Sequence, residues 1–350
     1  MHDDDDDDGI EEENDMTIPI ENQERMALLD QVRLKDGNDK LKKVFQESAA
    51  QDKEAAVNSL NHEDLQFTSL FLLRDEIEKL AILEQLSERN QIAMEIVKDV
   101  LSRENDTSPA SCRLPICDHI QMVHSVLRWM LETGSKDDGL SSEYIQVLDT
   151  TVSLLTTLFR DDMVLPIIAD LIFTRAEREL FNYHLIWAFF EAREPYTLDL
   201  IANRLRSPRV KEAKLARRLL AFVPGIDVHK DTEGEQQYRT FQHWLEENSP
   251  FLHYRGESFQ ETSKPVPYDV ALKGKYLGRS VSVDSGEILS PLTKEEDQIL
   301  EEFDKDDEDV KATIASSSEM TRYQSLEDWD TLVRRPLKER RKVEKLGGSR

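Results

Sequence analysis

The middle of the chain alternates apolar and polar residues with the period of an α-helix. Residues 65–86 read LQFTSLFLLRDEIEKLAILEQL, with apolar side chains three and four positions apart, and residues 90–104 continue the pattern. This spacing gives each helix one apolar stripe, which is buried by packing against other helices. We therefore predict an all-α helical domain over residues 39–248.

Two flanking segments differ from this helical middle. Residues 1–38 begin with MHDDDDDDGIEEEND, in which ten of fifteen residues are acidic. Like charges at this density oppose compaction, which predicts a disordered acidic tail.

Residues 249–283 contain proline, glycine and alternating apolar positions. That composition predicts an extended arm or a small strand pair.

Charge dominates again over residues 284–350, which predicts a charged and mostly disordered C-terminal tail. Short helices near 293–303 and 325–334 interrupt the tail in this prediction. The first of them has a capping box, because Thr293 and Glu296 have the spacing in which each side chain bonds the other residue's backbone N–H.

Two neighbouring segments form a weak internal repeat. PIIADLI (166–172) and PYTLDLI (195–201) each combine a proline with Asp-Leu-Ile, and a polar turn and a second helix follow each. Helix pairs that cannot bury their apolar faces alone stack into a helical solenoid. LDLIANRLRSPRVKEAKLARRLLAF, with Ala213 and Ala216 at packing positions, resembles a HEAT repeat. The resemblance covers residues 163–224 and implies an alpha-alpha superhelix with a protein-binding surface and no catalytic residues.

Composition indicates a compartment and limits the partners. No apolar run reaches the roughly 18 to 20 residues of a membrane-spanning helix, and residues 1–25 lack the order of a secretory signal. Two cysteines cannot form a disulfide framework. We therefore expect a cytoplasmic protein with no membrane contact. A net charge of -26 repels nucleic acid, so nucleic-acid binding would need a local basic patch.

The strongest local departure from this acidity is RLRSPRVKEAKLARRLL, residues 204–220, with seven Lys and Arg residues against one Glu. A helical wheel places Lys211, Lys214, Arg217 and Arg218 on one arc and small or apolar residues on the other. We predict that this basic face binds an acidic protein partner. Its predicted partner-binding residues are Arg204, Arg206, Arg209, Lys211, Lys214, Arg217 and Arg218.

Three alternatives for the basic face stay open. Its residues can be ordinary solvated side chains paired with nearby carboxylates, since exposed ion pairs need no function. They can bind phosphates of nucleic acid, although the stretch lacks interleaved aromatic residues for base stacking. The acidic N-terminus of the same chain can also cover the basic face, in an intramolecular contact.

The segment RYQSLEDWDTLVRRP provides a second set of predicted partner-binding residues. Leu326, Trp329 and Val333 line up at three- and four-residue steps of a short helix. A helix of this length is marginal in water, so we expect it to fold on a surface. That surface is either this protein's own body or a partner's groove, with Trp329 as the anchor.

Candidate chemistry is sparse in the sequence. Cys112, Cys117 and His119 lack the second ligand pair of a zinc site. His184 lies in an apolar helix, as a buried core histidine would. No catalytic triad or phosphate-binding loop can be assembled from spacing. We predict a non-catalytic adaptor or scaffold without metal or cofactor; the alternatives are a nucleic-acid-associated factor and an enzyme whose site assembles only in space.

Overall fold

The structure is a computed structural model that describes residues 26–103, 120–227, 234–258 and 261–334. This part of the chain is mostly helical, in agreement with the predicted all-α class. The described residues divide into two compact units. Residues 26–102 and 120–137 form the first, and residues 103, 138–227, 234–258 and 261–334 belong to the second.

Helices build the described part of the first unit, and short connections join the first six of them. They are α1 (Leu28–Asp36), α2 (Asn38–Gln51), α3 (Lys53–Leu60), α4 (Phe67–Leu72), α5 (Arg74–Lys79), α6 (Glu88–Leu101) and α7 (Ile120–Gly134). Their apolar stripes meet in a core that contains Phe45, Phe67 and Phe71. Trp129 of α7 packs edge-on against Phe67, with 6.0 Å between the ring centroids.

Helix α1 lies inside the segment that the sequence predicts as a disordered acidic tail. It is held by buried polar contacts: Arg33 Nε donates to Ser69 Oγ over 3.1 Å, and Ser69 Oγ donates to Asp30 Oδ1 over 2.6 Å. Burial raises the pKa of Asp30. Because α1 is stabilised by a polar network, apolar periodicity does not reveal it. The acidic run of residues 1–15 lies outside the described residues.

The second unit begins with stacked helices. They are α8 (Ser142–Thr157), α9 (Leu165–Glu177), α10 (Tyr183–Glu191), α11 (Leu198–Ala202), α12 (Val210–Leu219) and α13 (Gly234–Asn248). Helix α10 contacts α8 and α9, helix α9 also contacts α11 and α12, and α11 contacts α12 and α13.

Residues with a left-handed backbone follow several of these helices. Arg160, Glu179, Arg193 and Gly225 come after α8, α9, α10 and α12, and their φ angles are 48°, 58°, 57° and 87°. Each lies in a connection that turns the chain toward the next helix.

Similar capping contacts precede α9 and α11. Asp161 accepts a hydrogen bond from the backbone N–H of Met163 over 3.1 Å. Glu194 accepts one from the backbone N–H of Tyr196 over 3.4 Å. Each carboxylate caps a short 3-10 turn before the next helix.

A small antiparallel strand pair follows the stacked helices. Strand β1 (Leu252–Tyr254) pairs with β2 (Tyr268–Val270), and Leu252 lies opposite Val270. The pair lies in residues 249–283, the segment for which an extended arm or a small strand pair is predicted.

Four helices complete the second unit around a small apolar core. They are α14 (Leu272–Leu277), α15 (Lys294–Phe303), α16 (Glu308–Gln324) and α17 (Leu326–Arg334). The rings of Tyr276 and Phe303 stack in this core with centroids 4.6 Å apart. The predicted capping box of Thr293 and Glu296 is confirmed at the start of α15.

Helix α16 is an element that the sequence does not predict. It buries only a narrow strip, including Ile314 and Ala315, and two of its other buried residues, Ser318 and Glu319, are polar. Its apolar pattern is consequently too weak to distinguish a packed helix from a charged tail. Across the described residues, no helix combines the length and apolar character needed to cross a membrane.

Candidate functional site

The predicted basic face lies on α12 and on the turn before it. The side of α12 that carries Ala213, Ala216 and Leu219 is buried, and α12 packs against α9 and α11. The structure distributes the seven basic residues over different environments, so they do not form one continuous cationic surface.

Two arginines of the turn are held by internal carboxylates. Arg209 Nη2 lies 2.8 Å from Glu212 Oε1, and Arg204 Nη1 lies 3.7 Å from the same oxygen. Arg204 also pairs with Asp170. Glu212 is only 2% exposed, so the one acidic residue of the stretch is a buried anchor for its arginines.

Arg206 is likewise occupied within the second unit. Its guanidinium carbon lies 3.9 Å above the Tyr238 ring, and its Nη1 atom lies 3.8 Å from Glu235 Oε2. Both groups belong to α13. Arg204, Arg206 and Arg209 therefore all have partners within the second unit, while the side chains of Arg206 and Arg209 stay exposed.

Arg217 requires a correction to the helical-wheel prediction. The wheel places it with the exposed charges, but its side chain is 2% exposed in the structure. Buried residues occupy both adjacent arcs of α12, including Glu212, Ala213 and Ala216. Because five of the ten residues of α12 are buried, the exposed arc is narrower than the arc of charge and excludes Arg217.

Lys211, Lys214 and Arg218 remain exposed on α12. Lys211 Nζ pairs with Glu179 Oε1 over 2.9 Å. Lys214 makes no ion pair within the described part of the chain. The Arg218 guanidinium lies 5.9 Å from the centroid of the Tyr183 ring. The exposed part of the basic face thus continues onto the turn that joins α9 to α10.

An open groove of about 430 Å³ lies where α12 meets this turn, and we call it the Phe181 groove. Its apolar lining includes Leu180, Phe181, Ile186, Leu215 and Leu219. Phe181 is 56% exposed, although it is a large apolar residue. Such a side chain beside an open apolar groove is typical of a binding surface.

Aromatic contacts hold Phe181 in position. Its ring centroid lies 5.2 Å from that of Tyr183 and 5.3 Å from that of His184, both edge-on. Burial and the nearby Arg175 charge lower the pKa of His184. His184 is therefore a neutral packing partner at neutral pH. The sequence signal for this cluster is a Phe-Asn-Tyr-His run in a turn, which helical periodicity alone does not single out.

Charged side chains of both signs lie at the groove, since Glu179 and Arg218 are among its lining residues. A hydrogen bond from Lys211 lowers the pKa of Glu179, and the same contact raises the pKa of Lys211. These two charges offset each other.

The predicted residues of the C-terminal helix lie elsewhere in the second unit. Trp329 Nε1 donates to Ser318 Oγ over 2.9 Å, and Ser318 Oγ donates to the Tyr276 carbonyl over 2.7 Å. Val333 is 6% exposed and belongs to the same core, whereas Leu326 is 69% exposed. The surface on which this helix folds is thus the protein's own body, and Trp329 is engaged there.

A second cavity, of about 690 Å³, is lined by residues of α13 to α16. Its lysines are paired with carboxylates: Lys273 with Asp304, Lys275 with Glu319, and Lys311 with Glu308. The described residues hold no cluster of three or more metal-ligating side chains. Cys112, Cys117 and His119 lie outside the described residues.

Comparison with known proteins returns no relative. No protein-family model, no curated protein sequence and no solved structure matches the chain significantly.

Proposed function

We propose that the protein is a non-catalytic scaffold that binds a protein partner in the Phe181 groove. One observation carries this proposal: an exposed aromatic side chain is fixed beside an open apolar groove on a packed helical surface. Exposed aromatic residues next to a pocket are the usual anchors of protein interfaces. The groove lies between a turn and a helix, as many partner-binding surfaces of helical repeats do.

A HEAT-like helical solenoid is the architecture that we propose for the stacked helices. The left-handed residues in the connections after α8, α9, α10 and α12 and the contacts among α8 to α13 support it. Each pair would present an equivalent turn at the same edge of the stack. The Phe181 groove belongs to the turn between α9 and α10, so the repeat architecture would place it on an edge that is accessible to a partner.

The chemistry of the groove favours binding over catalysis. Its polar side chains include Glu179, which is bonded to Lys211, and Arg218, which faces an aromatic ring. His184 packs against Phe181 and does not pair with a nucleophile or a carboxylate among the described contacts. These groups can orient a bound segment, but they do not form the base and nucleophile pair that covalent catalysis needs.

Two matched substitutions test the proposed function. Phe181→Asp places a charge beside the groove. The control, Met163→Asp, introduces the same charge at a 71% exposed apolar residue in the turn before α9, which does not line the groove. Both full-length variants are used with wild type to capture proteins from nuclease-treated native lysate. A captured protein is then purified and titrated. We expect Phe181→Asp to weaken its binding roughly tenfold or more, and Met163→Asp to bind like wild type.

Equal binding by wild type and a folded Phe181→Asp variant would contradict the proposal. A parallel capture from untreated lysate tests the nucleic-acid alternative. Proteins captured there but lost after nuclease treatment would favour it, because nucleic acid would then connect them to the chain. Circular dichroism of each variant establishes that the helical fold is intact.

A further inference from the structure

We infer that residues 335–350, which follow α17 and which we call the basic segment, dock in the cavity of about 690 Å³ that residues of α13 to α16 line. Three observations support this contact. They are the direction in which α17 leads the chain, the opposite charges of segment and cavity, and an aromatic wall inside the cavity. The Phe181 groove takes no part in it.

Helix α17 runs back along α16 toward the cavity. A single residue separates the two helices, and Trp329 donates to Ser318 over 2.9 Å. Val333 lies one turn further along α17 and belongs to the same apolar core as Ile314, one turn before Ser318. The two helices are therefore antiparallel. The chain leaves α17 level with the first half of α16, where Asp309 and its neighbours line the cavity.

The basic segment is opposite in charge to the rest of the chain. It contains seven Lys and Arg residues against two Glu residues, which gives a charge of +5. The rest of the chain then carries -31, since the total is -26. A cationic segment is attracted to such a body. Because the segment is tethered beside the cavity, its effective concentration there is on the order of millimolar, which favours a contact within one chain.

Carboxylates outnumber lysines on the wall of this cavity. Five Asp and Glu residues and three Lys residues line it, an excess of two negative charges when its one histidine is neutral. Each lysine is paired with a carboxylate. Asp269 is paired with Arg255, and Glu247 lies 3.3 Å from the imidazole of His243. Asp309 is exposed and makes no ion pair within the described part of the chain. A cation that enters the cavity therefore finds an unpaired carboxylate.

The surroundings of the cavity strengthen this negative potential. Residues 294–309, which form α15 and the start of α16, contain ten Asp and Glu residues against two Lys residues. Charges of one sign around a cleft add to its field. The basic segment thus meets its complement in charge where the chain leaves α17.

An aromatic ring gives the cavity a surface for long basic side chains. The Trp244 ring is held edge-on by Phe222, with centroids 5.8 Å apart, and lies 6.2 Å from the Phe241 ring. Glu247 follows Trp244 by about one turn of α13, and both residues line the cavity. A Lys or Arg side chain can lie with its stem on the indole ring while its charge reaches the carboxylate.

Carbodiimide cross-linking of the full-length protein tests this contact. The reagent joins a lysine amine to a carboxylate where the two touch, and mass spectrometry of the digested monomer locates each link. We expect links from Lys338, Lys342 or Lys345 to Glu247 or Glu308. Their yield should fall about twofold or more between about 20 mM and 500 mM NaCl, because salt screens the attraction.

Two matched charge reversals locate the site. Asp309→Lys reverses the unpaired carboxylate of the cavity, and we expect about twofold to fivefold fewer links to Glu247 and Glu308, the range for one exposed ion pair. Glu301→Lys makes the same change in net charge at an exposed residue of α15 that does not line the cavity. Its links should match those of wild type. Circular dichroism establishes that both variants keep the helical fold.

Several results would overturn the inference. One is the absence of links between the basic segment and the cavity at low salt. Another is an unchanged yield in Asp309→Lys, or an equal loss in both variants, because the attraction would then not depend on the cavity. Mixing unlabelled and ¹⁵N-labelled chains identifies the chain that supplies the segment. Links that combine the two isotopes would show contact between copies and contradict docking within one chain. Binding in the Phe181 groove is measured separately, so the proposed function stands or fails on its own test.

Discussion

Arg175 shows how a single buried residue can organise the interior of a helical unit. It is 0% exposed, and it donates to both carboxylate oxygens of Asp138, from Nε over 2.8 Å and from Nη2 over 2.7 Å. Its Nη1 atom lies 2.7 Å from Asp149 Oδ1. Two carboxylates thus share one guanidinium. Burial, opposed only in part by Arg175, raises the pKa of Asp149 to about 6.

This arrangement predicts that the ionisation of Asp149 makes the stability of the protein depend on pH. Because its pKa is higher in the folded state than the usual 3.8, folding favours the protonated form. Its contribution to the free energy of unfolding is therefore greatest below pH 4. The contribution falls as pH rises to about 6 and then stays constant, with a total change on the order of 2 to 3 kcal/mol.

Denaturant titrations of Asp149→Asn and Asp138→Asn between pH 4 and 8 check this prediction. We expect the decline with rising pH to be smaller in Asp149→Asn than in wild type, and the variant to be no less stable than wild type at pH 7. Part of the decline should remain, because burial also raises the pKa of Asp30 and of Glu319. Asp138→Asn should cost about 3 to 5 kcal/mol, because it breaks a buried bidentate pair. A decline as large in Asp149→Asn as in wild type would assign all of it to other groups.

At the scale of elements, the left-handed residues between helix pairs predict opposite effects for two substitutions. Gly225 has a φ of 87°, and an added Cβ would lie 2.9 Å from the Thr240 Cγ2 atom. Gly225→Ala should destabilise the second unit by about 1 to 2 kcal/mol. Arg160 has a φ of 48° and only an exposed, 3.6 Å ion pair with Asp284. Arg160→Gly should be neutral or stabilising, since glycine adopts this conformation without steric cost.

Thermal unfolding followed by circular dichroism compares the two variants. A loss of stability in Arg160→Gly as large as that in Gly225→Ala would show that the side chain, and not the backbone conformation, matters at these connections.

At the scale of the whole molecule, a buried ion pair connects helices that are distant in the sequence of the second unit. Lys275 Nζ lies 2.9 Å from Glu319 Oε2 and donates to Asn248 Oδ1 over 2.7 Å. It therefore joins α14, α16 and the end of α13. Lys273 Nζ and Asp304 Oδ2 are only 2.7 Å apart, but both side chains are about half exposed.

Hydrogen exchange distinguishes these two pairs. Lys275→Met removes the 2.9 Å pair of the buried Glu319 carboxylate and leaves it the longer, 3.9 Å contact with Arg322 Nη2. We expect a cost of about 3 to 5 kcal/mol with faster exchange in α14 and α16. Lys273→Met removes an exposed pair and should cost less than about 1 kcal/mol. Similar exchange in both variants would mean that apolar packing alone holds α14 and α16 in place.

Part of the candidate site could be predicted from the sequence. Charge density and helical periodicity identify α12, and they select Lys211, Lys214 and Arg218 among the exposed residues. They also select Arg217, which is buried, because a wheel drawn for one helix does not include the helices that pack against it. Phe181 could not be found in this way, since its exposure depends on how α10 and α12 meet across the turn.

The sequence by itself determined the helical class of the described residues and the capping box of α15, because these depend on residues within one or two helical turns. Only the tertiary structure decided which charges are paired and which are free to act at a surface. Arg204 and Arg209 converge on Glu212, Trp329 docks on Ser318, and Lys214 remains exposed. Such pairings join residues that are brought together by packing, and local spacing carries no information about contacts between distant segments.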